Sequence, residues 1–303
     1  MNQLDSTKRA AVISALVEGA SCRSVSRMTG VARNTVASLL VEIGAACAEY
    51  QDRVLRNLPC KRIQCDEIWS YIGAKDKNVP ADKKGQFGIG SVWTWTALDA
   101  DTKLICSWMV GNRDGNAAYD FMQDLAGRLA NRVQLTTDGH NSYLNAVEHA
   151  FGSEIDYAML IKLYGADQAP EETRYSPAVC IGARPQPISG NPEPKHISTS
   201  YVERQNLTMR MHIRRFTRLT NAFSKKLENH IAAISLHFMY YNFVRIHQTL
   251  RVTPAMAAGV SERVWEISDV VALLDSARSQ KNAERKEDRE IRAITNKGPA
   301  LGF

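Results

Sequence analysis

Several things are scarce in this chain of 303 residues, and each scarcity narrows what it can do. Its six cysteines (22, 47, 60, 65, 106 and 180) include no Cys-x-x-Cys pair, and Cys60 and Cys65 stand too isolated to read as a zinc site. Reduced thiols in the core or on the surface of a cytosolic protein are expected instead. No apolar run reaches the roughly 18 residues of a membrane helix, and the charged, amphipathic opening MNQLDSTKRAAVISALVEGA is not expected to act as a secretory signal. There is no Gly-rich phosphate loop, no Ser/His/Asp arrangement and no internal repeat. Membrane-embedded, P-loop, zinc-dependent and serine-nucleophile chemistries are therefore disfavoured from the start.

What remains is an ordinary globular composition, 44% apolar and 23% charged, enough for one or two domains and a sizeable core. The net charge of +6 says little about partners, but its distribution says more. Between Lys195 and Arg251 stand ten Lys/Arg and two Glu, a local surplus larger than that of the whole chain. A polyphosphate substrate suits such a field.

The N-terminus reads as three helices. Ser6 or Thr7 can cap the first, whose apolar face is Val12, Ile13, Leu16 and Val17. Ser21 can cap a short second helix, Cys22 to Thr29; Gly30 then supplies a tight turn. The third helix opens at Val31 and is expected to run to about Glu42, with Val25, Val31, Val36 and Leu39 facing inward. Arg33, Asn34 and Thr35 would stand exposed at its start. This is the helix-turn-helix pattern, in which early residues of the second motif helix touch base edges. Arg23 is a further expected DNA contact.

The expected organisation is a DNA-binding unit over 1–46, a helical linker over 47–60, a catalytic unit over 61–258 and a helical, charged tail over 259–303. Within the catalytic unit, Ile63–Tyr71, Val92–Leu98 and Leu104–Val110 read as three antiparallel strands. A helix (116–130), a strand (132–137), a helix (142–151) and a strand (155–163) follow. That order belongs to the ribonuclease-H-like fold, an α/β fold with a mixed five-stranded sheet flanked by helices. Residues 165–198, rich in Pro and Gly, read as a long loop. A helix from about Ser198 and another over 224–244 come next.

Three acids fall at telling places. Asp66 lies on the first strand, Asp138 ends the fourth and Glu203 opens a helix. Together they would form an oxygen-rich cage for two Mg²⁺ ions, which clamp the attacking and leaving oxygens of an in-line phosphoryl displacement. Glu67 adjoins Asp66 but should point to the opposite face, and is read as structural. Asn206, Arg210, Arg214 and Arg218 follow Glu203 at helical steps and would present a phosphate-binding ladder beside it. His140 either touches phosphate or water at the site or is a structural histidine.

The segments CDEIWS, LTTDGH, HISTSYVERQN, RRFTRLTNAFSKK and YNFVRIHQTLRVTPA, with SVSRMTGVARNTV before them, resemble bacterial transposases of the insertion-sequence-one type, within the DDE group. The likeness runs from the helix-turn-helix to about Ala258. It implies that Asp66, Asp138 and Glu203 are catalytic metal ligands and that Arg210 matches the basic residue that follows the glutamate. It implies Mg²⁺, with Mn²⁺ able to substitute, and no organic cofactor. Cleavage at the ends of a mobile element and attack of the freed 3′-OH on target DNA would be the reaction. The partners implied are double-stranded DNA, as terminal inverted repeats and as target, and further copies of the chain, since two ends must be joined. No membrane association is expected, and the location would be cytoplasmic, at the nucleoid. Relatives often carry a zinc-binding segment ahead of the helix-turn-helix, so end recognition here is expected to rest on the helix-turn-helix alone. Two alternatives stay open: a metal-dependent nuclease of the same fold without strand transfer, and a helix-turn-helix regulator that keeps only the fold.

Overall fold

A computed structural model describes residues 4–165, 180–217 and 222–295. It is a mixed α/β fold around a six-stranded sheet in the order β3-β2-β1-β4-β5-β6. The strands are β1 (Arg62–Ile72), β2 (Gly90–Asp99), β3 (Ile105–Gly111), β4 (Val133–Asp138), β5 (Ile155–Tyr164) and β6 (Cys180–Ser189). β1, β2 and β3 form an antiparallel meander, and β4 and β5 then add in parallel beside β1, each preceded by a helix. Those helices are α4 (Gly115–Ala126) and α5 (Ser142–Phe151).

β6 corrects the five-strand expectation and the reading of 165–198 as loop. It pairs antiparallel with β5 along the sheet's outer edge, with Pro185 opposite Leu160 and Pro187 opposite Ala158. Proline has no N–H for a second neighbour, so an edge strand is where a sheet tolerates it. The part of that loop over 166–179 lies outside the described residues.

Three helices precede the sheet: α1 (Ser6–Val17), α2 (Cys22–Thr29) and α3 (Arg33–Val54). Asp5, not Ser6 or Thr7, caps α1, accepting from the Lys8 N–H at 2.7 Å. Ser21 caps α2 as expected, accepting from Ser24 at 3.1 Å. Gly30 adopts φ +69°, a left-handed conformation, and the axes of α2 and α3 bend by 113° across it. Val25, Val31, Val36 and Leu39 are buried, and Arg23, Arg33, Asn34 and Thr35 are exposed. α3 does not stop near Glu42: it runs unbroken for 22 residues, through the boundary expected at 46. Ile43 and Cys47 continue its buried face, and Gly44 lies so close to Ala232 that a Cβ there would sit 2.5 Å from the Ala232 Cα.

After the sheet come α6 (Ser200–His212), α7 (Leu227–Met239), a single π turn over Tyr240–Val244, α8 (Pro254–Ala257) and α9 (Ile267–Thr295). Most of the helical, charged tail expected over 259–303 is one helix of 29 residues. Its first turns are no free tail, because Val270, Val271 and Leu274 are buried in the same core as α1 and α3. Among the described residues, no single helix is long and apolar enough to cross a membrane.

Candidate acidic centre

The parallel register of β1 on β4 builds the centre. Its last pair is Cys65 with Thr137; one step further, Asp66 and Asp138 stand side by side where β4 ends. The open end of a parallel sheet is where such folds place their ligands. Beyond Cys65, β4 no longer pairs with β1, so among the described residues the carboxylates are not walled in by another strand on that side.

α6 delivers Glu203 to the same end, and β1 itself positions α6. The Gln64 side chain, two residues before Asp66, accepts the otherwise orphaned N–H groups of Tyr201 and Val202 at 2.9 and 3.2 Å. One turn on, the Asn206 amide donates to Asp66 Oδ2 at 2.8 Å. Val202 and Met209 bury the apolar face of α6 in a cluster with Ile68, Leu98 and Phe238. Each polar tie stabilises by about 1 kcal/mol, and together with this packing they fix the helix in register. Glu203 itself is half-buried, accepts from the Thr199 hydroxyl and pairs with Lys162 at 2.7 Å.

The tightest carboxylate cluster is not the expected trio. Oxygens of Asp66, Glu67 and Asp138 lie within 4.8 Å of one another, and Glu203 stands outside that group. Glu67 is therefore part of the centre, which corrects its purely structural reading. Arg113 bridges it, at 3.0 Å from Glu67 Oε2 and 3.3 Å from Asp138 Oδ2. Burial, and then the charge of Asp138, push both Asp66 and Glu67 up to about 7. Glu203 adds to the pressure on Asp66, so its field reaches the cluster even though its oxygens do not. The buried Asn206 Oδ1 has no hydrogen-bond partner among the described residues. Crowded hard oxygens of one sign, with an acceptor to spare, suit a divalent cation such as Mg²⁺. Asp66, Glu67 and Asp138 would hold it, with Glu203 able to join by leaving Lys162.

The remaining expected residues divide. His140 donates its backbone N–H to Asp138 Oδ1 at 3.0 Å, and its ring packs against Trp95 and Tyr143. Burial, and then Arg113, lower its pKa, and its Nε2 is buried without a partner. Arg210 is half-buried in the last turn of α6. Asn206, expected to face DNA, is buried on Asp66 instead. Arg214 does not continue the helical ladder, because α6 ends at His212 and Arg214 starts a separate 3₁₀ turn. Arg218 lies outside the described residues.

Sequence reasoning missed Gln64, Arg113 and Lys162. A signal existed for two of them. β3 runs parallel to β1 by way of two antiparallel turns, so Arg113, just past its end, falls at the Asp138 end of the sheet. Lys162 stands two residues past Leu160, the partner of Asp138, on the same strand face.

Residues 89–163 of the chain match a family described as a DDE domain. That stretch runs from β2 to β5 and contains Asp138, but neither Asp66 nor Glu203. Among solved structures, the piggyBac transposase synaptic complex with hairpin DNA is 11% identical, covers 100% of this chain and 78% of its own, and overlays with a TM-score of 0.38. The Mos1 strand transfer complex is 11% identical over 78% of each chain, with a TM-score of 0.23. Overlays that loose carry no weight about fold or function. No curated protein matches.

Proposed function

We propose that this chain is a DDE transposase of the insertion-sequence-one type, built as a ribonuclease-H-like catalytic unit behind a helix-turn-helix that binds terminal inverted repeats. The observation that carries the reading is the adjacency of Asp66 and Asp138 at the end of the β1–β4 pair, with α6 tying Glu203 to the same place. The match of residues 89–163 to a DDE domain supports it. So does the meander–helix–strand–helix–strand order, with β6 as an addition at the edge.

In this reading Asp66, Asp138 and Glu203 are the metal ligands, with Glu67 beside them. Bound Mg²⁺ would stabilise the charge that develops on the attacking and leaving oxygens of an in-line displacement. The protein's own part is orientation. Arg113 holds Glu67 and Asp138, Asn206 holds Asp66, and Lys162 holds Glu203 until the site is filled. Arg210, at the far end of the same helix, would meet the phosphates. Arg23, Arg33, Asn34 and Thr35, exposed around the α2–α3 turn, would enter the major groove. As functional divisions, the reading takes a DNA-binding unit over 1–46, a helical linker over 47–60, a catalytic unit over 61–258 and a tail over 259–303, with α3 crossing the first boundary without a break. The chain would act as a homo-oligomer on DNA at the bacterial nucleoid.

A cleavage and joining assay with Mg²⁺ tests this, using the gene's own flanking DNA as donor and a plasmid as target. Joined donor–target products from wild type, absent with Asp138→Asn, are expected. Cleavage without joining favours the nuclease, and binding without chemistry from either protein favours the regulator.

A further inference from the structure

A second charged region lies away from the carboxylates. A cavity of about 960 Å³ opens between α1–α2, the start of α3, the turn after α6 and one face of α7. Its lining includes Arg23, Arg33, Arg214, Arg215 and Lys225 and, among the described residues, no Asp or Glu. Among the described residues, none of these five pairs with a carboxylate. Four are exposed; Arg215 is not.

Arg215 is the unusual member. Its guanidinium donates to the Ser224 hydroxyl at 2.9 Å and touches the Cys22 sulfur at 3.9 Å, both uncharged partners. Burial lowers its pKa, and no carboxylate offsets that. A half-buried guanidinium is normally set against an anion, because drawing a charge part-way out of water costs free energy that a counter-charge offsets. Arg215 is nonetheless held in place. Ser224 is hydrogen-bonded to His230 Nδ1 at 3.1 Å, and His230 Nε2 to Ser70 at 3.0 Å on β1, the strand of Asp66. His237 lines the same cavity, almost wholly buried, and its Nδ1 has no partner.

We propose that this cavity seats phosphates of a DNA backbone, with Arg215 as the half-buried anchor and Arg214 and Lys225 at its mouth. A guanidinium fork with free donors pairs well with phosphate oxygens. Five cations spread over a cavity this size exceed what one small oxyanion needs and suit a strand with charges at regular spacing. One wall is the α2–α3 region, which the proposed function assigns to DNA; the other is the segment that follows the Glu203 helix. The proposal rests on that function for its choice of DNA over a free anion.

The test reads binding apart from chemistry. Labelled duplexes, one of the element's end and one of random sequence, are titrated over a range of salt with the full chain carrying Asp66→Asn, so that no cleavage intervenes. Adding Arg215→Gln should weaken both duplexes about equally, by roughly tenfold, and reduce the slope of log K against log salt by about one. Arg215→Lys should restore part of the slope. Arg132→Gln, at the opposite end of β4, should change neither. Thermal melts decide between a ligand role and a structural one. Without DNA, Arg215→Gln should melt near the parent temperature, since a half-buried guanidinium with only a hydroxyl and a thiol for partners gives way to a neutral amide. Duplex should raise the melting point of the parent more than that of the variant. Unchanged affinity and slope in a folded Arg215→Gln protein would overturn the proposal. So would a lowered melting point with DNA binding intact. Stabilisation by inorganic phosphate alone, with no DNA bound, would make the cavity a free-anion site and overturn the DNA assignment.

Discussion

The molecule gathers like charges in two places, and the two places are built differently. At the end of β4, Asp66, Glu67 and Asp138 crowd together, yet each is steadied by a donor: Asn206, Arg113 or both the Arg113 guanidinium and the His140 backbone. In the cavity beside α2 and α7, Arg215 has only a hydroxyl and a thiol. A site that must hold carboxylates in a fixed pattern needs orienting donors of its own. A site that grips a polyanion needs only one half-buried charge and a rim. The difference predicts that the acidic centre will fail by losing chemistry, and the basic cavity by losing affinity.

The largest effect should separate them most sharply. Asp138→Asn should reduce cleavage by about 10³-fold or more, the order seen when charge stabilisation is removed from a transition state, while a gel-shift assay finds DNA binding unchanged. Retained cleavage would remove Asp138 from the centre. Next in size, Arg33→Ala should weaken binding to the element's ends by about tenfold, corresponding to one lost base contact at ~1–3 kcal/mol, with a smaller loss on random duplex. Equal losses would reassign Arg33 to the backbone-binding rim of the cavity.

Packing offers a way to disturb one region alone. α3 and α7 form walls of the cavity and meet at Gly44, where a Cβ would strike the backbone of Ala232. Gly44→Ala should cost about 1–3 kcal/mol, the usual penalty of overpacking, read as a lower denaturant midpoint. Its effect on duplex affinity should exceed its effect on metal binding.

The smallest expected effect concerns pH. The carboxyls of Asp66 and Glu67 are raised to about 7 in the folded chain. Between their ordinary range and about 7, the folded state holds protons that the unfolded state has released. Stability of the metal-free protein should therefore fall as pH rises through that window. His230 and His237 act in the opposite sense: burial lowers both to about 3, so their contribution is lost as pH falls below the ordinary histidine range. Calorimetry at pH 5.5 and 8 should show Mg²⁺ raising the melting temperature by more at pH 8. Asp66→Asn with Glu67→Gln should flatten that gain, and an unchanged gain would place the metal elsewhere.

Much of this was legible in the chain because it depended on local pattern. Strand alternation, Asp138 at a strand end and Gly30 in its turn could be read directly, and five of the six strands fell within a residue or two of their expected bounds. β6 escaped because prolines argue against a strand unless it is known to be an edge. α3 escaped because its second half is buried by α7 and α9, contacts no local pattern announces. Glu67 escaped for a different reason. Alternation assigns a Cβ to a face, but does not fix where a long side chain ends, and its oxygens come alongside Asp66 and Asp138. Arg215 carried no signal at all, since one arginine among ten cations looks like any other until its surroundings are known.

The central claim is that Glu203, which lies outside the tight carboxylate cluster, completes the metal site when DNA and Mg²⁺ are present. The most direct measurement is the joining assay run with Glu203→Gln and, separately, Lys162→Gln. The account predicts that Glu203→Gln abolishes joined products while binding DNA normally, and that Lys162→Gln retains them. Joined products at the wild-type level from Glu203→Gln would contradict it, leaving Asp66, Glu67 and Asp138 as the working set.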